Sequence, residues 1–221
     1  MSMSNPSSAG LPPLWTLVLE YEYDVFLSYR RANAWPKFVG DTFIPMFRHW
    51  LEAEVGYQPQ IFFDADEIET GESWPHRLAT GIALSKVMVC LWSREYFSSP
   101  WCQAELGHMM ARRENTKSGT GPLPLILALV IHDSENISPH LSSIQRLAIQ
   151  EYANPWLARD SRRAEELSER IHRFAIHVSH ALQKVPECNP NWSSLAVDSF
   201  VQLFQQQTTQ RDVPSLGGVA S

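Results

Sequence analysis

Trp101 and Glu105 stand four residues apart, a spacing that puts both side chains on one face of a helix. Together they offer a flat aromatic surface beside a carboxylate. That pairing suits a ligand built of a sugar and a base, because the ring stacks and the carboxylate accepts hydrogen bonds from ribose hydroxyls. A packing ring and a solvated charge have the same spacing, so the meaning of the pair rests on where its helix sits. Tyr29, Arg30 and Arg31 form a second cluster. A guanidinium fork matches phosphate oxygens. It also pairs readily with an acidic run such as Asp64 to Glu69, so at least one of the two arginines is expected to be structural.

The elements that carry these residues can be read from the apolar pattern. Tyr23 to Ser28, Gln60 to Phe63, Lys86 to Trp92 and Leu123 to Ile131 read as strands, with Arg146 to Tyr152 as a short fifth. Trp35, Phe38, Val39, Phe43, Phe47, Trp50 and Leu51 follow helical spacing, with Pro45 expected to kink or split the helix and Gly56 to end it. A second helix opens near Ser73 and Pro75 and runs to about Leu84. Ser99 and Pro100 open the helix of Trp101 and Glu105, which runs to about Arg113, and Asp160 or Ser161 caps a long last helix.

Strands alternating with helices predict an α/β chain: a flavodoxin-like three-layer fold with a five-stranded parallel sheet in the order 2-1-3-4-5. The ligand crevice of that topology lies beyond the carboxyl ends of strands 1 and 3, where the winding reverses. Ser28 to Arg31 and Ser93 to Glu105 must meet there. Residues 1–19 read as an N-terminal extension, 20–185 as the domain, and 186–221 as a C-terminal extension with a short helix at 191–204 and a disordered tail. On that helix Val197, Phe200, Val201 and Phe204 share a face, expected to pack on the domain or to dock a partner.

Composition and missing motifs exclude other classes. The 221 residues carry a net charge of −6, against a nucleic-acid binder held by bulk electrostatics. With 44% hydrophobic and 19% charged residues the chain is not disordered. Cys90, Cys102 and Cys188 form neither a disulfide framework nor a CxxC metal spacing, and the histidines suggest no metal set. No signal peptide or membrane span is read, so a cytoplasmic protein is expected. No GxGxxG or GK[ST] follows strand 1, against an ordinary dinucleotide dehydrogenase or nucleoside triphosphatase, and no GxSxG elbow supports a serine hydrolase. A phosphoacceptor receiver needs an aspartate at the end of strand 3, where this chain has Leu91-Trp92-Ser93. Of the eight tryptophans, Trp35, Trp50 and Trp92 read as core, Trp101 as a candidate for a site, and Trp15, Trp156 and Trp192 have no assignment.

Tyr23-Asp-Val-Phe-Leu-Ser-Tyr-Arg-Arg31, Phe63-Asp-Ala-Asp-Glu-Ile-Glu-Thr-Gly71 and Ser93-Arg-Glu-Tyr-Phe-Ser-Ser-Pro-Trp-Cys-Gln-Ala-Glu105 occur in order, and with them the chain from about Glu20 to Lys184 resembles a Toll/interleukin-1 receptor (TIR) domain. The resemblance points to the bacterial NAD-cleaving branch. It implies that Glu105, in a WxxxE segment, is the catalytic glutamate for cleavage of the nicotinamide–ribose bond. It further implies that Tyr29, Arg30, Arg31, Ile68, Gly71, Trp74 and Trp101 line the NAD+ pocket. The position of Trp74 is one place beyond the family's usual aromatic. Pro45 and the C-terminal extension also depart from the family pattern.

By that resemblance the chain is expected to be a TIR-type NAD+ glycohydrolase or cyclase, with NAD+ as substrate, no cofactor and no metal. It would work as an immune or antiphage defence effector. The resemblance also implies self-association through the BB loop, Asp64 to Trp74, with a sensor protein or small signalling molecule supplying the stimulus. Direct contact with nucleic acid or membrane is not expected. The alternative within the family is a non-catalytic adaptor that acts through homotypic TIR contacts.

Overall fold

Strand 3 is apolar along almost its whole length, as a strand covered on both faces must be, and it lies at the centre of the sheet. The computed structural model describes residues 20–63, 73–116, 123–133, 137, 139–189, 191, 192, 196, 198, 200 and 202. Its strands are β1 (Tyr23–Tyr29), β2 (Ile61–Phe62), β3 (Ser85–Trp92), β4 (Ile126–Val130) and β5 (Gln145–Ala148). They form one sheet in the order β2-β1-β3-β4-β5 with every pairing parallel, as the sequence predicts. The fifth strand ends at Ala148 rather than Tyr152. It is an edge strand whose side chains are mostly exposed, so its apolar signal is weak.

Alternation along the strands sends side chains to two separate cores. Phe26, Met88, Cys90, Trp92, Ala128 and Val130 face α3 (Ser73–Ala83), α4 (Arg94–Phe97) and α5 (Pro100–Asn115). Val25, Leu27, Val87, Val89, Leu91, Leu127 and Leu129 face α1 (Trp35–Phe38), α2 (Ile44–Val55) and α6 (Arg162–Leu182). The approach of α3 to the sheet depends on Gly81, since a Cβ there would run into the Phe62 ring.

Pro45 splits the first helical segment. Between α1 and α2 the chain makes a π-helical turn, Val39–Phe43, and Pro45 falls in the first turn of α2. Proline has no N–H to return to the carbonyl four residues back. That carbonyl belongs to Asp41, and it accepts instead from Arg159 Nη2 at 3.2 Å. Gly56 caps α2 in the left-handed conformation, φ 78°. Ser161 caps α6, its Oγ accepting from the Ala164 N–H at 3.2 Å.

The tryptophans divide differently from the sequence reading. Trp92 is fully buried. Trp35 and Trp50 are only partly buried at the rim of the core, Trp50 donating to Ser168 Oγ at 2.9 Å and stacking on His172. Each lies at the margin of the apolar stripe, where periodicity alone does not separate rim from centre. Trp156 is 74% exposed. Trp192 is buried in the core beneath α5, together with Ala196 and Phe200, all three in helical backbone. Their spacing of four marks a face that the C-terminal segment turns inward, and Phe200 belongs to the face expected from the sequence to pack on the domain. Val197, Val201, Phe204 and Trp15 lie outside the described residues, as does the remainder of both extensions. Among the described residues no helix is long and apolar enough to cross a membrane.

Candidate functional site

The register of β1 on β3 pairs Ser28 with Cys90 and Tyr29 with Leu91, so the carboxyl ends of the two strands finish side by side. Ser28 shares the face of Phe26 and therefore points at α5. That helix begins with Ser99, whose Oγ accepts from the Cys102 N–H at 3.4 Å, and with Pro100, which needs no N–H partner in the first turn. One turn further on, Glu105 is 7% exposed and faces Ser28. Ser28 Oγ donates to Glu105 Oε2 at 2.5 Å, a bond spanning 77 positions of sequence. Tyr96 Oη lies 2.9 Å from Ser28 Oγ and 3.5 Å from Cys90 Sγ. Tyr96 is held by α4, whose N-cap Ser93 accepts from the Tyr96 N–H at 3.2 Å.

Among the described residues, hydroxyls and thiols lie close to the carboxylate, with the Arg30 guanidinium nearby. Burial pushes the Cys90 thiol up to about 12, and the nearby charge of Glu105 adds to the rise. Burial likewise lifts Cys102 and the Tyr96 phenol well above their ordinary values, with Glu105 again contributing. A buried carboxylate with a close hydroxyl donor, at the crevice of a parallel sheet, can accept hydrogen bonds from a sugar and stabilise positive charge that develops beside it.

A protein-family model for the TIR domain matches residues 25–167. The chain belongs to the TIR domain family. Among curated proteins, the "Probable disease resistance protein RPP1" of Arabidopsis thaliana is 34% identical over 112 residues, 50% of this chain. The match spans only 9% of that plant protein. Among solved structures, "Structure of the activated Roq1 resistosome directly recognizing the pathogen effector XopQ (TIR domains)" aligns with 72% of this chain and 84% of that one, at 20% identity and a TM-score of 0.34. The family match does not specify a bacterial branch.

Within this TIR domain the residues singled out from sequence separate into groups. Glu105 lies at the crevice. Arg30 is beside it, Nη1 donating to Ser99 Oγ at 3.3 Å and so tying the end of β1 to the start of α5. Tyr29 turns to the other face of the sheet, against Phe63 and the core under α2 and α6. The Arg31 guanidinium lies 6.0 Å from the Tyr29 ring centroid. Trp101 packs on the core under α5 and its ring lies parallel to Phe200, with centroids 6.1 Å apart. Trp101 and Glu105 thus share a helix stripe yet meet different elements, the C-terminal segment and β1. Trp74 stands in the first turn of α3. Ile68, Gly71 and Asp64 to Glu72 as a whole lie outside the described residues, as does the side chain of Trp74.

Ser28 and Tyr96 complete the site and were not singled out. A signal for Ser28 exists: it is the one hydroxyl in the run Val25-Phe-Leu-Ser28 of a strand buried on both faces. Tyr96 had no such signal, since α4 is four residues long and reads as loop.

Proposed function

We propose that this TIR domain is an NAD+ nucleosidase that cleaves the nicotinamide–ribose bond and serves as an immune effector. The observation that supports it is the buried Glu105 carboxylate, held by Ser28 at the crevice beyond β1 and β3. In the reaction the C1′–N bond breaks with its electron pair going to nitrogen, and nicotinamide leaves as a neutral base. No general acid is needed. Positive charge builds on the ribose ring, where a carboxylate stabilises it. Hydrogen bonds from the ribose hydroxyls to Glu105 orient the sugar. Water then attacks C1′ and loses a proton to give ADP-ribose, or an adenine nitrogen attacks to give a cyclic product. NAD+ is substrate and no cofactor or metal takes part.

Activity follows self-association through the BB loop, Asp64 to Trp74, under a sensor protein or small signalling molecule. In this reading Arg30 meets a phosphate of the substrate. The test incubates the protein at high concentration with NAD+ and identifies products by mass. Nicotinamide with ADP-ribose marks a hydrolase, and a cyclic product a cyclase. Glu105→Gln in the same assembled state removes the activity while leaving the fold intact; a Gln variant as fast as the parent rejects the proposal.

A second reading, a non-catalytic adaptor working through homotypic contacts, draws on Trp101. Its ring lies against Phe200 of the same chain. An assembled parent that leaves NAD+ untouched selects this reading.

A further inference from the structure

The hydrogen-bond chain behind Glu105 has a direction. A serine hydroxyl carries one proton, and Ser28 gives it to Glu105 Oε2. Towards Tyr96, 2.9 Å away, Ser28 Oγ is therefore left as an acceptor, sharing the phenol's single proton with Cys90 Sγ at 3.5 Å. Ser28, Tyr96 and Glu105 are all buried, so bulk water does not replace a donor that is lost. Each donor is also fixed from outside the chain of bonds. Strand pairing with Cys90 holds Ser28, and the Ser93 cap of α4 holds Tyr96.

Among the described residues, ionisable groups around the carboxylate come from several elements packed near it. They are Cys90 from β3, Tyr96 from α4 and Cys102 from α5, with the Arg30 guanidinium from the end of β1 acting on Cys102. The thiols and the phenol stay protonated at neutral pH. Burial alone disfavours the charged form of a carboxylate, and a donated hydrogen bond opposes that.

We propose that Ser28 is the positioning residue for Glu105: its hydroxyl, oriented by Tyr96, fixes the carboxylate in one rotamer and holds it ionised within a buried site. The consequence for rate rests on the proposed NAD+ cleavage; the consequence for titration does not.

Two readouts test it. The first is the titration of the Glu105 carboxyl by NMR in protein carrying 13C-labelled glutamate, its signal assigned by its loss in Glu105→Gln. The second is the pH dependence of kcat and KM for NAD+ loss. Ser28→Ala raises the titration midpoint by about one pH unit. Tyr96→Phe raises it by less, because the serine donor remains. Ser28→Thr keeps the donor and restores the parent's midpoint. In the assay, the acid limb of kcat in Ser28→Ala moves up with the midpoint, and KM changes less than kcat. A folded Ser28→Ala that titrates like the parent overturns the proposal. So does a folded Thr variant that titrates like the Ala variant. Should Ser28→Ala fail to fold, an unshifted midpoint in Tyr96→Phe overturns it equally. Should the parent consume no NAD+, the NAD+ reading falls while the titration midpoints still decide the role of Ser28.

Discussion

Asp24 and Glu105 are both buried carboxylates, 4% and 7% exposed, and they sit at opposite ends of the same strands. Asp24 begins β1. It accepts from Lys86 Nζ at 2.7 Å, the Tyr57 hydroxyl at 2.9 Å and the Gln60 N–H at 2.8 Å. A cation, a phenol and a backbone amide of its own domain close this charge off, and they tie β1, β2 and β3 together at the amino end. Glu105 lies at the carboxyl end. It takes a short bond from Ser28 and has neutral thiols and a phenol about it. The contrast separates a carboxylate that holds strands together from one placed where a ligand of a parallel sheet binds. Burial alone would have ranked the two alike.

The comparison breaks most sharply on activity. Glu105→Gln is expected to lower NAD+ loss by roughly two orders of magnitude or more, as removal of a transition-state charge contact does, with an unchanged thermal midpoint. Asp24→Asn is expected to do the reverse, leaving kcat near the parent's in whatever fraction stays folded. Stability sharpens it next. Phe200→Ala removes a fully buried ring from the core under α5 and is expected to cost about 3–5 kcal/mol in denaturant unfolding.

His108, on the same helix as Glu105, adds a pH dependence. Burial pulls its imidazole down to about 4, so the folded state keeps it neutral while the unfolded chain takes up a proton near 6.5. Stability is therefore fully present above about pH 6.5 and falls as pH drops towards 4, by up to about 3 kcal/mol. His108→Gln should flatten urea midpoints over that window. Asp24→Asn follows at about 2 kcal/mol, because Lys86 and the Gln60 N–H lose a charged acceptor. The smallest effect is that of Arg159→Ala, at about 0.5 kcal/mol, which strips the exposed donor from the Asp41 carbonyl.

Much of the fold was legible in the sequence. The strand order was expected from five strands alternating with helices in a flavodoxin-like topology, and Ser99 with Pro100 marked the start of the helix that carries Glu105. Local chemistry accounts for those successes: capping, proline and period-two burial need only near neighbours. The failures are of longer range. Topology alone brings Ser28 to Arg31 against Ser93 to Glu105, but the Ser28–Glu105 bond itself depends on strand register and on how α5 lies across the sheet. Tyr29, Arg30 and Arg31 are consecutive, yet strand alternation divides them between two faces. Trp101 was read for its i, i+4 partner on the helix, and its ring neighbour comes from 99 positions away on a segment outside the family match.

That last contact also orders events in time. The core beneath α5 takes Phe26 from the first strand made and Trp192, Ala196 and Phe200 from the last described segment. A chain emerging from its amino end forms the sheet and brings Glu105 to Ser28 well before this wall is sealed. Synthesis must reach Phe200 before the apolar side of α5 is fully covered. A chain stopped at the end of α6 would carry every residue of the candidate site and still expose the surface on which partly made proteins stick to one another.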